Sequence, residues 1–211
     1  AKVGRISINP QTFNDDVLNT IGRRHTSHQT VEAFELAKKC GFDNINTDLI
    51  AGLPTDTPES FKNSLDSIVR LNAECITVHT LCMKRASRLT TEGVTLDLQQ
   101  ARDAREMLAY TQNILGQNEY IPYYMYRQSR MVGNLENVGW SKKGFESLYN
   151  VYVMDETHTI LACGSGGVTK LKRNNPDYLE RIFNFKYPYE YIDRFDELIQ
   201  RKSGIMQFYG Q

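Results

Sequence analysis

Long apolar runs are missing from this 211-residue chain: nowhere do about 18 apolar residues follow one another, as a membrane-spanning helix requires. A signal-peptide pattern and a polybasic juxtamembrane block are missing too, so the sequence reads as cytoplasmic, with no membrane partner. Net charge is absent, since Lys plus Arg and Asp plus Glu number 25 each, and no bulk positive field argues for nucleic acid. Cysteine is scarce. Cys40, Cys75, Cys82 and Cys163 stand far apart with no CxxC or similar spacing, which reads as reduced, mostly buried thiols and no metal or cluster site. The Gly164-Ser165-Gly166-Gly167 run lacks both the GxGxxG spacing and a following Lys-Ser/Thr, so it does not read as a nucleotide loop. What remains, at 40% hydrophobic and 24% charged residues with no low-complexity linker, is a globular chain able to bury a real core.

The stretch from Asn44 to Pro54, NINTDLIAGLP, organises the rest. Ile45, Thr47 and Leu49 share one parity and can pack under helices, whereas Asn46 and Asp48 fall on the other face of a period-two element. A central parallel strand is normally apolar on both faces, so two adjacent polar positions imply something polar in front of them, read here as a ligand. Gly52 and Pro54 end the strand, which places the following loop at the carboxyl edge where ligands bind α/β sheets and barrels.

Other segments repeat the theme. Lys2 to Asn9 reads as a strand with Val3, Ile6 and Ile8 apolar and Arg5, Ser7, Asn9 and then Gln11 on the opposite parity. A chain that opens inside a core strand without a leading Met is expected to be part of a longer protein. Asn14 caps a short helix to Ile21; Thr26 or Ser27 caps the next, which Gly41 stops. Between them Arg23-Arg24-His25 is either a solvated turn or a carboxylate or phosphate clamp. Thr57 and Pro58 start a helix running to about Leu71. Cys75 to Leu81 is a third strand, with Thr77, His79 and Leu81 on the face opposite Ile76 and Val78, and a long helix covers Leu98 to Gly116. A strand histidine is often only structural, but His79 shares its parity with the polar face.

Strands alternating with helices predict right-handed βαβ units, and three strands with a shared polar face suit a wide, incomplete barrel better than a flat sheet. From Asn118 onward the pattern changes: Ile121 to Arg127, Tyr149 to Met154 and Thr159 to Cys163 read as strands of an antiparallel extension, with Asp155 to His158 as a turn, and Tyr189 to Lys202 as a terminal helix. Two regions are therefore expected, 1–117 and 118–211.

Four phrases taken together resemble a known family: RISINPQTFN from Arg5, IGRRH from Ile21, GFDNINTDLIAGLP from Gly41, and YMYRQ from Tyr124 with GNLENVG from Gly133. They resemble the oxygen-independent coproporphyrinogen III oxidase family of radical SAM proteins, most nearly its HemZ-type coproporphyrinogen dehydrogenase branch, over nearly the whole chain. The resemblance implies the later half of a partial (β/α)6 radical SAM barrel, followed by a smaller α+β region. It implies that Gln11, Arg23 and Asp48 belong to an S-adenosylmethionine pocket, with Cys82 at a further contact where the family accepts small side chains. The parity argument had put Gln11 and Asp48 on the polar face independently.

The family holds its [4Fe-4S] cluster on a CxxxCxxC loop that these residues do not contain, so this chain is expected to lack the cluster ligands, to be inactive alone and to complete its site with a preceding N-terminal part. For the whole protein the resemblance implies a 5'-deoxyadenosyl radical and conversion of two propionates of coproporphyrinogen III to vinyl groups. His79, together with Lys84, Arg85 and Arg88 just after the third strand, is a candidate for contacts to the tetrapyrrole carboxylates. A haem-binding or haem-chaperone protein of the same family, and an interaction domain without a ligand, are the alternatives.

Overall fold

Three helices begin at side chains chosen to close them. In the computed structural model, which describes residues 3–82, 98–127, 133, 135–174 and 177–210, Asn14 accepts from the amides of Asp16 and Val17 at 3.0 and 3.3 Å and opens α1, Asp15–Thr20. Thr26 and Gln29 form a reciprocal capping box at the head of α2, Ser27–Lys39. Thr57 caps α3, Pro58–Leu71, where Pro58 needs no amide partner, and Asn72 ends it in the left-handed region at φ 61°.

These helices alternate with parallel strands β1, Ile6–Ser7, β2, Ile45–Ala51, and β3, Cys75–Thr80. Helix α4, Leu98–Gln117, then leads to β4, Ile121–Tyr126, and β5, Asn137–Ser141. Strand β5 inserts between β3 and β4, antiparallel to both, so the sheet order is β1-β2-β3-β5-β4. The aromatic segment at Ile121 is thus an antiparallel extension of the parallel sheet, and its insertion partner β5 was not anticipated. A boundary after residue 117 would cut this sheet; the compact unit continues through Glu146.

One face of the sheet is a dry interface. Ile45, Leu49 and Ala51 of β2, Ile76 and Val78 of β3 and Trp140 of β5 pack with Phe34 and Ala37 of α2, Phe61, Leu65 and Ile68 of α3, and Met107 and Leu115 of α4. Fully burying each of the large aliphatic side chains contributes about 1.5–3 kcal/mol before chain entropy is counted. Strand β1 is shorter than the sequence suggested, though amide bonds from Ile8 to Asn46 and from Gln11 to Asp48 carry its pairing forward.

The second unit begins at Ser147. Tyr149 to Met154, expected as a strand, lies in helix α5, Leu148–Asp155. Its aromatic and β-branched residues favour extended structure, but Ser147 caps the segment through the Asn150 amide and Glu156 ends it at φ 53°, so local end signals override composition. Thr159 to Cys163 contributes only an isolated bridge between Ile160 and Lys170. The ordered pair is instead β6, Val168–Asn174, with β7, Asp177–Phe183. The expected terminal helix breaks at Arg194, whose ψ of 32° leaves the helical range, giving α6, Pro188–Asp193, and α7, Phe195–Lys202, before a further helix α8, Gly204–Tyr209. Leu171, Ile182 and Phe208 form the small core of this unit. The glycine-rich run has its amides engaged internally: Gly164 donates to Tyr191 Oη, Gly166 to Phe185 O and Gly167 to Gly164 O.

Gly139 of β5 lies directly opposite Thr77 of β3 and Tyr124 of β4, and a Cβ there would fall inside the Tyr124 ring. The glycine is therefore the seat of an aromatic side chain. Gly139→Ala should destabilise the protein by about 1–3 kcal/mol in urea unfolding, and adding Tyr124→Ala should recover part of the loss. An unchanged midpoint in the single variant would show that the ring moves freely.

Candidate functional site

The other face of the sheet is polar from strand to strand. Parallel register sets Ser7 beside Asn46 and Asp48 beside Thr77, while antiparallel register sets Thr77 beside Gly139 and Asn137 beside Tyr126. Because neighbours in register share a face, strand pairing brings these groups together on one side of the sheet.

Asp48 is the centre of this surface, with a side chain 21% exposed. Asn46 Nδ2 donates to its Oδ1 at 3.0 Å and is 3.4 Å from Ser7 Oγ. His79 Nε2, one strand over and two residues beyond Thr77, lies 3.6 Å from Asp48 Oδ2, an ion-pair distance rather than a short hydrogen bond. Burial pushes the Asp48 carboxyl up, but His79, Asn46 and Thr77 together outweigh it and hold the group below its ordinary value of 3.8. Tyr124 Oη is 3.1 Å from Thr77 Oγ1, and Tyr126 Oη is 3.3 Å from His79 Nδ1. The two tyrosine rings are parallel with centroids 6.3 Å apart. Burial raises both phenols, Tyr124 to about 12, so both remain neutral donors near neutral pH.

Gln11 is buried and has φ 71°, with its amide on Asp48 O and its carbonyl accepting from Ile50 N, both at 3.0 Å. Pairing advances from Ser7 with Asn46 to Gln11 with Leu49, four residues against three, so simple alternation does not carry through to Gln11. Its Nε2 donates to Asn9 O at 3.2 Å. Arg23 and Arg24 are exposed in the turn after α1, while His25 is tied to Pro10 O at 3.1 Å. Cys82 is half-buried two residues beyond β3 and close enough to Tyr126 to help raise its phenol. Lys84, Arg85 and Arg88 lie outside the described residues. Tyr124, Tyr126 and Asn137 were not anticipated as part of the site; β4 shows the shared parity of the two tyrosines, but not the pairing with β5 that brings them here.

Among the described residues no three His, Cys, Asp or Glu side chains gather as ligands. Cys75 contacts Arg5 Nη1, Ser141 Oγ and Phe145 O within the first unit, Cys40 caps the end of α2 and Cys163 belongs to the second unit.

The lowered Asp48 carboxyl carries a pH signature. A depressed folded-state value stabilises the fold above the unfolded value of 3.8, and that stability is lost as pH falls through the folded value. The unfolding midpoint should therefore fall more steeply on acidification below about pH 4 for the wild type than for Asp48→Asn. Parallel pH curves would show that the carboxylate is not specifically held.

Comparison with known proteins bears on the family and the fold. Residues 1–68 match the model of the radical SAM superfamily. The oxygen-independent coproporphyrinogen-III oxidase-like protein HemZ of Bacillus subtilis is 38% identical over 97% of this chain and 41% of its own length. The heme chaperone HemW of Lactococcus lactis is 33% identical over 82% of this chain and 44% of its own. The solved structure of coproporphyrinogen III oxidase (HemN) from Escherichia coli, described as a radical SAM enzyme, has the same fold with a TM-score of 0.65 at 19% identity, over 92% of this chain and 43% of that one. The chain thus spans about two fifths of the length of the relatives it matches. In sequence over nearly its whole length, and in fold, the chain is thus similar to the radical SAM family of coproporphyrinogen III oxidase-like proteins.

Proposed function

We propose that this chain supplies the S-adenosylmethionine-binding sheet face of a radical SAM oxidoreductase that converts the propionates of coproporphyrinogen III to vinyl groups. The observation that carries this reading is an ionised Asp48 beside Asn46 Oδ1, a buried acceptor without a hydrogen-bond partner among the described residues. Buried acceptors rarely go unpaired, and a cationic ligand bearing several N–H and O–H donors fits both groups. S-adenosylmethionine has that chemistry, and when bound and reduced it supplies a hydrogen-abstracting carbon radical.

The residues of this chain bind and orient. Asp48 and Asn46 accept donors, Gln11 is held beside them by its backbone bonds to β2, and Arg23 and Cys82 complete the proposed contacts. Tyr124 and Tyr126 wall the face with neutral hydroxyls. Lys84, Arg85 and Arg88 are proposed to meet the substrate carboxylates. Each propionate would give up one hydrogen atom, then carbon dioxide and one electron to a one-electron acceptor. An iron–sulfur cluster does not fit the cysteines described here, so its ligands are assigned to the part of the protein that these residues do not include.

In the intact protein, Asp48→Ala should weaken S-adenosylmethionine binding by about 1.5–3 kcal/mol in calorimetric titration while leaving the unfolding midpoint near that of the wild type. Unchanged affinity would remove Asp48 from the site. Similarity to HemW favours haem carriage as a second reading; stoichiometric haem binding without decarboxylation of coproporphyrinogen III would decide for it. The 211-residue chain alone, reconstituted anaerobically with iron and sulfide, should take up no stoichiometric cluster, because such clusters need converging thiolates. Near-stoichiometric iron and sulfide with formation of 5'-deoxyadenosine would overturn that expectation.

A further inference from the structure

His79 reads from sequence as a substrate contact, yet both of its ring nitrogens already face partners within the sheet. The direction of those contacts can be traced from the backbone. The Thr80 amide can only donate, and it lies 2.8 Å from Asn137 Oδ1, which fixes that end of the side-chain amide as the oxygen. The other end, an NH2 group, can also only donate; Asn137 is in register with Tyr126, and its effect on that phenol is the downward one of a donor to the oxygen. Tyr126 Oη lies 3.3 Å from His79 Nδ1, and with Asn137 on the accepting side of the hydroxyl its proton can turn to that nitrogen. In that order Nδ1 is the acceptor and the ring proton belongs on Nε2, the nitrogen that faces Asp48 Oδ2.

We propose that Asn137, Tyr126 and His79 are positioning residues that present Asp48 to S-adenosylmethionine as a fixed, ionised acceptor, an inference that rests on reading Asp48 as a cofactor contact. The order of donors is set by the sheet. Asn137 is in register with Tyr126, and the array crosses β4, β5 and β3 before it ends on β2. Asn46 restrains Asp48 Oδ1 from the same strand while His79 faces Oδ2, so both carboxylate oxygens are oriented from within the sheet. Each oxygen retains a further lone pair for a ligand. A free carboxylate would rotate and take water donors; this one is aimed before the ligand arrives, which lowers the ordering cost of binding.

The test is nitrogen-15 NMR of the intact protein without cofactor, joined to calorimetry with S-adenosylmethionine. The chain has four histidines, so the His79 signals are assigned by their loss in His79→Gln. The expected spectrum at neutral pH shows His79 protonated at Nε2 alone; protonation at Nδ1 or at both nitrogens would overturn the proposed order. Tyr126→Phe and His79→Ala should each weaken S-adenosylmethionine about tenfold, and His79→Gln, which keeps an N–H donor, should recover much of that loss. If Asp48→Asn loses binding while Tyr126→Phe and His79→Ala bind like the wild type, the positioning role is wrong and the cofactor reading stands. If Asp48→Asn itself binds like the wild type, the cofactor reading fails and takes the positioning role with it.

Discussion

The polar face of the first unit is arranged around a carboxylate kept ionised in the middle of a sheet. Removing Asp48 from water raises the free energy of its charged form, and the surrounding strands must offset that cost. They do so by register: β2 brings Asn46, and β3 brings Thr77 and His79, each contact following from strand pairing rather than from a flexible loop. The same pairing turns Ile45, Leu49, Ile76 and Val78 into the helix-covered core. Polar and apolar faces are therefore one constraint, because a slip of one residue along β2 would drive Asp48 under the helices and expose Leu49.

Elements whose signals are local were legible in the sequence. Asn14, Thr26 and Thr57 mark helix starts by chemistry that acts over three residues, and β2 announces both faces by alternation. What could not be read depended on partners distant in the chain. Strand β5 has little to declare it, since Asn137, Gly139 and Ser141 are weak strand formers, and it exists because β3 and β4 flank it. Conversely, the Tyr149 to Met154 segment looked like a strand, but its ends are capped as a helix.

The candidate site divides along the same line. Asp48, Asn46, Thr77 and His79 were visible because two neighbouring parallel strands keep a common parity. Gln11 was placed on the polar face by an alternation that the extra residue before it interrupts; its position beside β2 comes from backbone bonds instead. Tyr124, Tyr126 and Asn137 were invisible because antiparallel strands from a later segment bring them there, and no short pattern encodes that pairing.

Gly139 connects the fold to the site. A side chain at that position would exclude the Tyr124 ring, and Tyr124 in turn stacks on Tyr126, whose hydroxyl meets His79. A missing Cβ on β5 thus bears on the orientation of an imidazole on β3, through rings on β4. The ring hydroxyls meet Thr77 and His79, the β3 neighbours of Asp48, in surroundings where each hydrogen bond counts for more than it does in bulk solvent. Among the described residues Asn46 Oδ1 is left unpartnered on the polar face of β2, beside the Asp48 carboxylate. Thr47 Oγ1 and Trp140 Nε1 of the same sheet are likewise unpartnered among the described residues, but they lie on the helix-covered face, so Asn46 Oδ1 is the one placed for the donor proposed above.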